Sequence, residues 1–504
     1  MWQQHLVIAP ILIPLLAALL QLLPWGENPQ RYRRLIGIVA CILTISAAVT
    51  LLLQVHQYGM QVYAVGSWQA PFGIVLAVDR LATVMVLLSA LLSLPILAYA
   101  CYGEDNLGSH FHALFQFLLL GINGAFFTGD LFNLFVFFEV LLIASYALLM
   151  HGGGKLKLRA CLHYVLLNLA GSALFLIALG VLYGTTGTLN MADMSGKIAA
   201  LTGDEAALAR AGGMLLLVVF GLKAALLPLY FWLPQAYTMT TGTVAAMFAI
   251  MTKVGVYSIL RVFTLVFGET AGAASLLGYE WLWWLGLATL LIGAVGVLGS
   301  RDMRMVISYL VVISVGTMLT TLSIANERAV SAVMYYLIHS TFVTAALFLV
   351  VDVMAMQRGK TASRIVSGRK LAQHSVVAIM FFAAAITIIG MPPLSGFVGK
   401  LHILEAARVG DQANWLWPVV LGSTLVIMVA LARAGSKMFW HTLEGKAGET
   451  RSANGQLVAV TVLLSAAVLL TVFAQPVSAF TDAIANDLYQ PQRYIYQVLG
   501  GSTL

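Results

Sequence analysis

Five ionisable residues lie inside stretches that are otherwise apolar. Glu139 sits in LFNLFVFFEVLLIASY, Lys223 in VVFGLKAALLPLYFWLP, Lys253 in AAMFAIMTKVGVYSIL, His339 in MYYLIHSTFV, and Lys400 in IIGMPPLSGFVGKLHIL. A charge at the centre of a membrane span costs about 2.5–3.5 kcal/mol on insertion scales, so such residues usually serve an ion or proton pathway. One glutamate can neutralise one lysine, but three lysines exceed what a single structural pair explains. The chemistry that suits these residue types is proton transfer. Burial makes an ammonium group readier to release its proton, a nearby carboxylate makes it hold the proton again, and imidazole titrates near neutral pH. The competing readings are a purely structural Glu139–Lys223 ion pair and a satisfied core histidine at 339. His110, His112, His163, His374 and His402 fall at span ends or beside stronger candidates and carry no expected role.

The elements that must hold these residues follow from composition. The chain has 504 residues, 61% hydrophobic and 9% charged, against about 25% charged in soluble domains. Each span needs about 20 apolar residues. Hydropathy divides the chain into fourteen: 6–23, 35–53, 76–100, 108–127, 131–150, 161–183, 212–233, 240–264, 281–299, 305–324, 330–354, 375–403, 414–435 and 456–475. The expected fold is an all-α polytopic membrane protein, with 1–504 as a single transmembrane domain. The first span lacks a basic leading region and a small-residue cleavage site, so it reads as a retained helix.

Basic residues test that division. With both termini outside, the inner loops collect seventeen Lys and Arg: Arg31, Arg33, Arg34, Lys155, Lys157, Arg159, Arg301, Arg304, Arg358, Lys360, Arg364, Arg369, Lys370, Arg433, Lys437, Lys446 and Arg451. Outer segments hold Lys197, Arg210, Arg328, Arg408 and Arg493. This is the positive-inside bias, and it assigns the net charge of +7 to topology rather than to nucleic-acid binding. Arg80 and Arg261 lie near span ends, where a long side chain can snorkel to the interface.

Cys41, Cys101 and Cys161 are spaced 60 apart, with no CxxC pair and no histidine at ligand spacing. No metal or cofactor is expected, and the thiols read as inert. There is no GxSxG, HExxH, GxGxxG or P-loop motif; HGGGK at 151–155 lies in a basic loop and reads as a turn. Enzyme chemistry therefore has no support.

Two spans carry internal breaks. Pro228 follows Lys223 by five residues, and Pro392 and Pro393 precede Lys400. Proline removes a helical hydrogen bond and clashes with the preceding turn, and broken helices in corresponding positions of two halves mark transport sites. Spans 4–8 (108–264) and 9–13 (281–435) are expected to form two five-helix repeats. An odd number of helices per unit makes the second copy inverted.

GDLFNLFVFFEVLLIASYALL (129–149), KAALLPLYFWLPQAY (223–237), MTKVGVYSILR (251–261), RDMRMVISYLVVISVG (301–316) and MPPLSGFVGK (391–400) resemble the antiporter-like, proton-translocating subunits of respiratory complex I, membrane hydrogenases and Mrp-type cation/proton antiporters. The resemblance covers about spans 3–13. It implies fourteen helices, two inverted five-helix repeats, broken helices 7 and 12, and a proton path through Glu139, Lys223, Lys253, His339 and Lys400. Tyr230 and Tyr237 stand where complex I members usually carry histidines, and TMTTGTVAA follows. These features are most similar to the D-type subunits of the Mrp antiporters, a group also called Mnh or Pha. The resemblance implies a bacterial inner-membrane protein, partner subunits, and exchange of H⁺ for Na⁺ or K⁺. The alternatives are a proton-pumping module of NADH-quinone oxidoreductase or a membrane hydrogenase, and an inert assembly scaffold.

Overall fold

The computed structural model describes residues 5–26, 28–408, 411–443, 448 and 450–500. Lys446, assigned above to an inner loop, lies outside the described residues. The helices are α1 (Ala9–Leu22), α2 (Pro29–Tyr58), α3 (Arg80–Ala100), α4 (Phe111–Phe127), α5 (Leu131–Leu149), α6 (Lys155–Thr186), α7 (Met191–Ala200), α8 (Gly203–Ala224), α9 (Trp232–Met239) and α10 (Gly242–Phe248). They continue as α11 (Met251–Leu265), α12 (Tyr279–Gly299), α13 (Met303–Leu322), α14 (Glu327–Arg358), α15 (His374–Ile389), α16 (Ser395–Ala406), α17 (Ala413–Gly435), α18 (Asn454–Val472), α19 (Ala474–Leu488) and α20 (Pro491–Leu499). Among the described residues, eleven helical segments are long and apolar enough to span a membrane. Three shorter apolar ones, at Leu6–Leu22, Phe111–Phe127 and His374–Ile389, complete the fourteen expected.

Local sequence sets the span ends. Asp79, Asp130, Asp302 and Asn326 each accept a backbone N–H from the first turn of α3, α5, α13 and α14. These side chains satisfy donors that a helix start leaves open. The loops after odd-numbered spans meet at one end of the bundle. Arg34 bonds Asp105 at 2.6 Å, a His151 ring nitrogen bonds the Glu104 carbonyl at 2.7 Å, and Arg304 bonds the Thr240 carbonyl at 3.1 Å. The loops after even-numbered spans meet at the other end, where Leu76 bridges Thr128, Asp130 bridges Asn190, and Arg80 pairs with Asp487 at 2.7 Å. A missed or extra span would have mixed the two sets.

Helix burial ranks the spans. The most apolar windows of Gly242–Leu265 and Glu327–Thr361 are wholly buried, against 28% for Asn454–Val472 and 39% for Lys155–Thr186. The helices bearing Lys253 and His339 are therefore the axis of the bundle, and the others wrap them.

Lys223 lies midway along the seventh span, Gly203–Met239, and next to its break: α8 ends at Ala224, and the span resumes at Leu229. Other expectations need correction. Arg31, Arg33 and Arg34 ride on the first turns of α2, and Lys155, Lys157 and Arg159 on those of α6, because both helices extend beyond their apolar stretches. Arg261 does not snorkel; it is buried and pairs with Asp79 at 2.7 Å. The all-α expectation misses one antiparallel hairpin, Gln61–Ala64 with Val75–Val78. It also misses α7, α19 and α20, none of which is apolar enough to register as a span.

Candidate functional site

Each sequence-selected residue is held by a specific helix against a specific neutral partner. Glu139, on α5, accepts a hydrogen bond from the Ser172 hydroxyl of α6. Lys223, in the last turn of α8, donates to the Asn168 carbonyl at 3.4 Å and to its side-chain oxygen at 3.3 Å. Asn168 and Ser172 are one helical turn apart on α6, so this helix bridges the glutamate and the lysine. The competing reading, a direct structural Glu139–Lys223 ion pair, is not among the ion pairs of the described residues. The Phe138 ring, 5.9 Å from the Lys223 ammonium, gives a further weak attraction.

Lys253 follows a short discontinuity between α10 and α11 and is fully buried. Its ammonium donates to the Ser314 hydroxyl of α13 at 3.3 Å. α11 reaches α8 because position 255 is glycine: a Cβ there would lie 2.5 Å from the Ala224 nitrogen and 2.9 Å from the Lys223 carbonyl carbon. Backbone contact thus joins the helices of the first two lysines.

His339, on α14, is also fully buried. Its Nδ1 is 2.9 Å from the Ser395 hydroxyl, while Nε2 has no hydrogen-bond partner among the described residues. Lys400, on α16, donates to the Ile389 carbonyl at 2.7 Å and the Thr424 hydroxyl at 2.6 Å. Both residues therefore engage the break in span 12: Ser395 opens α16, and Ile389 closes α15. The freed carbonyl of a broken helix becomes a ligand for an ammonium, as irregular backbone in a membrane requires.

The two breaks share a plan. Ala225 and Gly390 adopt left-handed backbone at φ of 66° and 83°, and Pro228 and Pro393 follow each by three residues, Pro392 preceding the latter. Lys223 lies before its break and Lys400 after it. Tyr237 is fully buried and donates to the Phe248 carbonyl at 2.7 Å. It closes the discontinuity between α10 and α11.

The structure thus gathers Glu139 with Lys223 across α6, and His339 with Lys400 across the span 12 break, with Lys253 on the axial helix. No direct hydrogen bond joins any two of the five among the described residues. What the sequence missed is the set of neutral partners, Asn168, Ser172, Ser314, Ser395 and Thr424, together with Thr252 and Thr344, whose buried hydroxyls have no partner among the described residues. Serine and threonine are common in spans, and nothing in their spacing marks these.

The cysteine reading also changes. Cys101, Asp105 and His112 present ligand atoms within 4.8 Å of one another. Folding of the 101–112 loop creates this cluster, which linear spacing hid. Asp105 is nevertheless committed: Arg34 grips both its oxygens, and Gln30 and His112 add bonds at 3.0 Å each. The cluster is a closed ion-pair network. HGGGK is a turn, as expected.

Residues 128–429 match the family described as NADH:quinone oxidoreductase/Mrp antiporter, TM. A probable K(+)/H(+) antiporter D subunit from Rhizobium meliloti is 38% identical, with 99% of this chain and 98% of the relative covered. An Na(+)/H(+) antiporter D subunit from Bacillus subtilis is also 38% identical, with 98% and 99% covered. A chain of the Mrp complex from Dietzia sp. DQ12-45-1b superposes with a TM-score of 0.88 at 26% identity, covering 99% of this chain and all of that one. Likeness over the whole length, together with the two broken spans, places the protein: it belongs to the NADH:quinone oxidoreductase/Mrp antiporter membrane-subunit family, among the antiporter D subunits.

Proposed function

We propose that this chain is the proton-translocating subunit of a multisubunit Na⁺/H⁺ or K⁺/H⁺ antiporter in a bacterial inner membrane. Protons pass along Glu139, Lys223, Lys253, His339 and Lys400, with water filling the gaps between them. The observation that carries this reading is the neutrality of every partner. A hydroxyl can accept from an ammonium and donate to an amine, so it tolerates both protonation states of its neighbour. Among the described residues none of the three lysines has a carboxylate in ion-pair contact, so charge pairing does not account for their cost in a membrane. The full-length relatives named as antiporter subunits favour exchange over a redox-driven pump.

Segments 108–264 and 281–435 are the two inverted five-helix repeats, a reading supported by the matched spacing of their breaks. Both termini lie outside, which the gathering of basic loops at the opposite end supports. Partner subunits and surrounding lipid complete the working unit.

The test is cation-dependent collapse of a pH gradient in vesicles carrying the complete set of subunits. Lys223→Ala and Lys253→Ala should each abolish exchange while the complex still assembles. Normal exchange by either assembled variant would refute the relay.

A further inference from the structure

Two carboxyl groups lie outside the relay and belong to segments 248 residues apart in sequence. Glu104 occupies a short turn between α3 and α4, and Asp352 lies near the end of α14. Their carboxyl groups converge on the adjacent residues Gly242 and Thr243. Glu104 also accepts from the backbone N–H of Thr243 at 3.2 Å and from its hydroxyl. Asp352 accepts from Arg304 on α13 and from the Tyr99 hydroxyl at 3.0 Å. Gly242 makes the approach possible, since a Cβ there would sit 2.6 Å from Asp352 Cγ. The meeting point is thus the tip that joins α9 to α10.

Lys157 lies near enough to feel the Glu104 charge, but among the described residues Arg304 is the only cation bonded to either carboxyl group. Arg304 supplies one fixed positive charge, and it also bonds the Thr240 carbonyl. Lys157 is directed to the His151 carbonyl at 2.6 Å, and the His151 ring to the Glu104 carbonyl. Asp105, next in the chain, is already held by Arg34 and His112. Two buried carboxylates brought this close cannot both stay ionised cheaply, and one proton held between them is the stable solution. Burial, then the Asp352 charge, pushes the Glu104 carboxyl up to about 8, so this proton exchanges near neutral pH. Thr240, beside the pair, has a buried hydroxyl without a hydrogen-bond partner among the described residues. From Thr243 the chain runs ten residues along α10 and α11 to Lys253, about 15 Å at helical rise.

We propose that Glu104 and Asp352 are the inner proton port of this subunit, a shared-proton carboxyl pair that exchanges protons between the basic-loop face and Lys253. In the inward direction Lys253 gives up one proton through water to the ionised pair and becomes a neutral amine. The pair, now Glu104–COOH against Asp352–COO⁻, releases that proton to the inner solution. The reverse order loads the lysine. Asp352 keeps Arg304 throughout, so only one proton and one charge move.

The inference rests on the relay reading, and its test separates the two. Glu104→Gln keeps the shape and the Thr243 contacts but holds no exchangeable proton. It is expressed with all partner subunits, and exchange is followed against inner pH alongside Lys253→Ala. The port predicts normal assembly, exchange lowered by about tenfold or more, loss of the pH dependence centred near 8, and loss of a protonated-carboxyl band in infrared difference spectra. Asp352→Asn should remove the same band. If Lys253→Ala abolishes exchange while Glu104→Gln keeps the rate, pH profile and band of the parent, the port is wrong and the relay stands. If Lys253→Ala also exchanges normally, the relay fails and the port with it.

Discussion

The centre of the bundle and its two ends handle charge in opposite ways. At the ends, arginine faces carboxylate: Arg34 with Asp105, Arg80 with Asp487, Arg261 with Asp79, and Arg304 with Asp352. In the centre, Lys223, Lys253 and Lys400 face amide, hydroxyl and carbonyl oxygens, and His339 faces a serine. Arginine stays charged at any accessible pH and fits a carboxylate in a fork, so it suits a permanent tie. Lysine and histidine can lose a proton, and a neutral partner does not penalise that loss. On the proposed relay, the difference separates groups that hold the bundle together from groups that work inside it.

The largest expected effect comes from putting an end-type residue in the centre. Lys253→Arg and Lys223→Arg keep the charge but remove the ability to deprotonate, so exchange should fall by about a hundredfold or more in complexes that assemble. Vesicle exchange at matched protein levels measures it, and near-parental rates would erase the distinction. Next comes an end-type partner: Ser314→Asp gives Lys253 a carboxylate, which should trap its proton and slow exchange by about tenfold or more. Ser314→Ala should do less, since it only removes one neutral partner.

The reverse change belongs to the ends. Arg261→Ala leaves Asp79 buried without its cation, which should cost about 3–5 kcal/mol. It would be read as a lower melting temperature of the complex, with exchange per assembled complex preserved. Arg261→Lys should recover part of that stability. A strong loss of exchange at unchanged stability would move Arg261 into the working set.

The smallest effect is one of pH. The folded Glu104 carboxyl titrates at about 8, above its ordinary value of 4.5. A raised carboxyl contributes stability that is whole below the ordinary value and is lost as pH climbs through the folded one. Amide exchange of the 101–110 loop and the Thr240–Thr243 tip, corrected for intrinsic rate, should therefore accelerate between about pH 4.5 and 8, and Glu104→Gln should flatten the change. An unchanged slope in the variant would show that the pair does not hold the inner end.

Composition, hydropathy and the distribution of lysine and arginine alone determined that this chain crosses a membrane, with fourteen spans and a basic end. They also singled out the five costly residues, because a charge in an apolar run is visible without any structure. Spacing located both broken spans through Pro228, Pro392 and Pro393. Three things only the tertiary structure decided. Lys223 sits at the very end of α8 because the left-handed turn at Ala225 comes before Pro228, and a proline marks a break only to within a turn. The partners of the five residues came from distant helices and from residue types too common in spans to stand out. The Arg261–Asp79 and Glu104–Asp352 contacts join segments 182 and 248 residues apart. Periodicity says which face of one helix is apolar, but only packing of many helices at once brings two such charges to the same point.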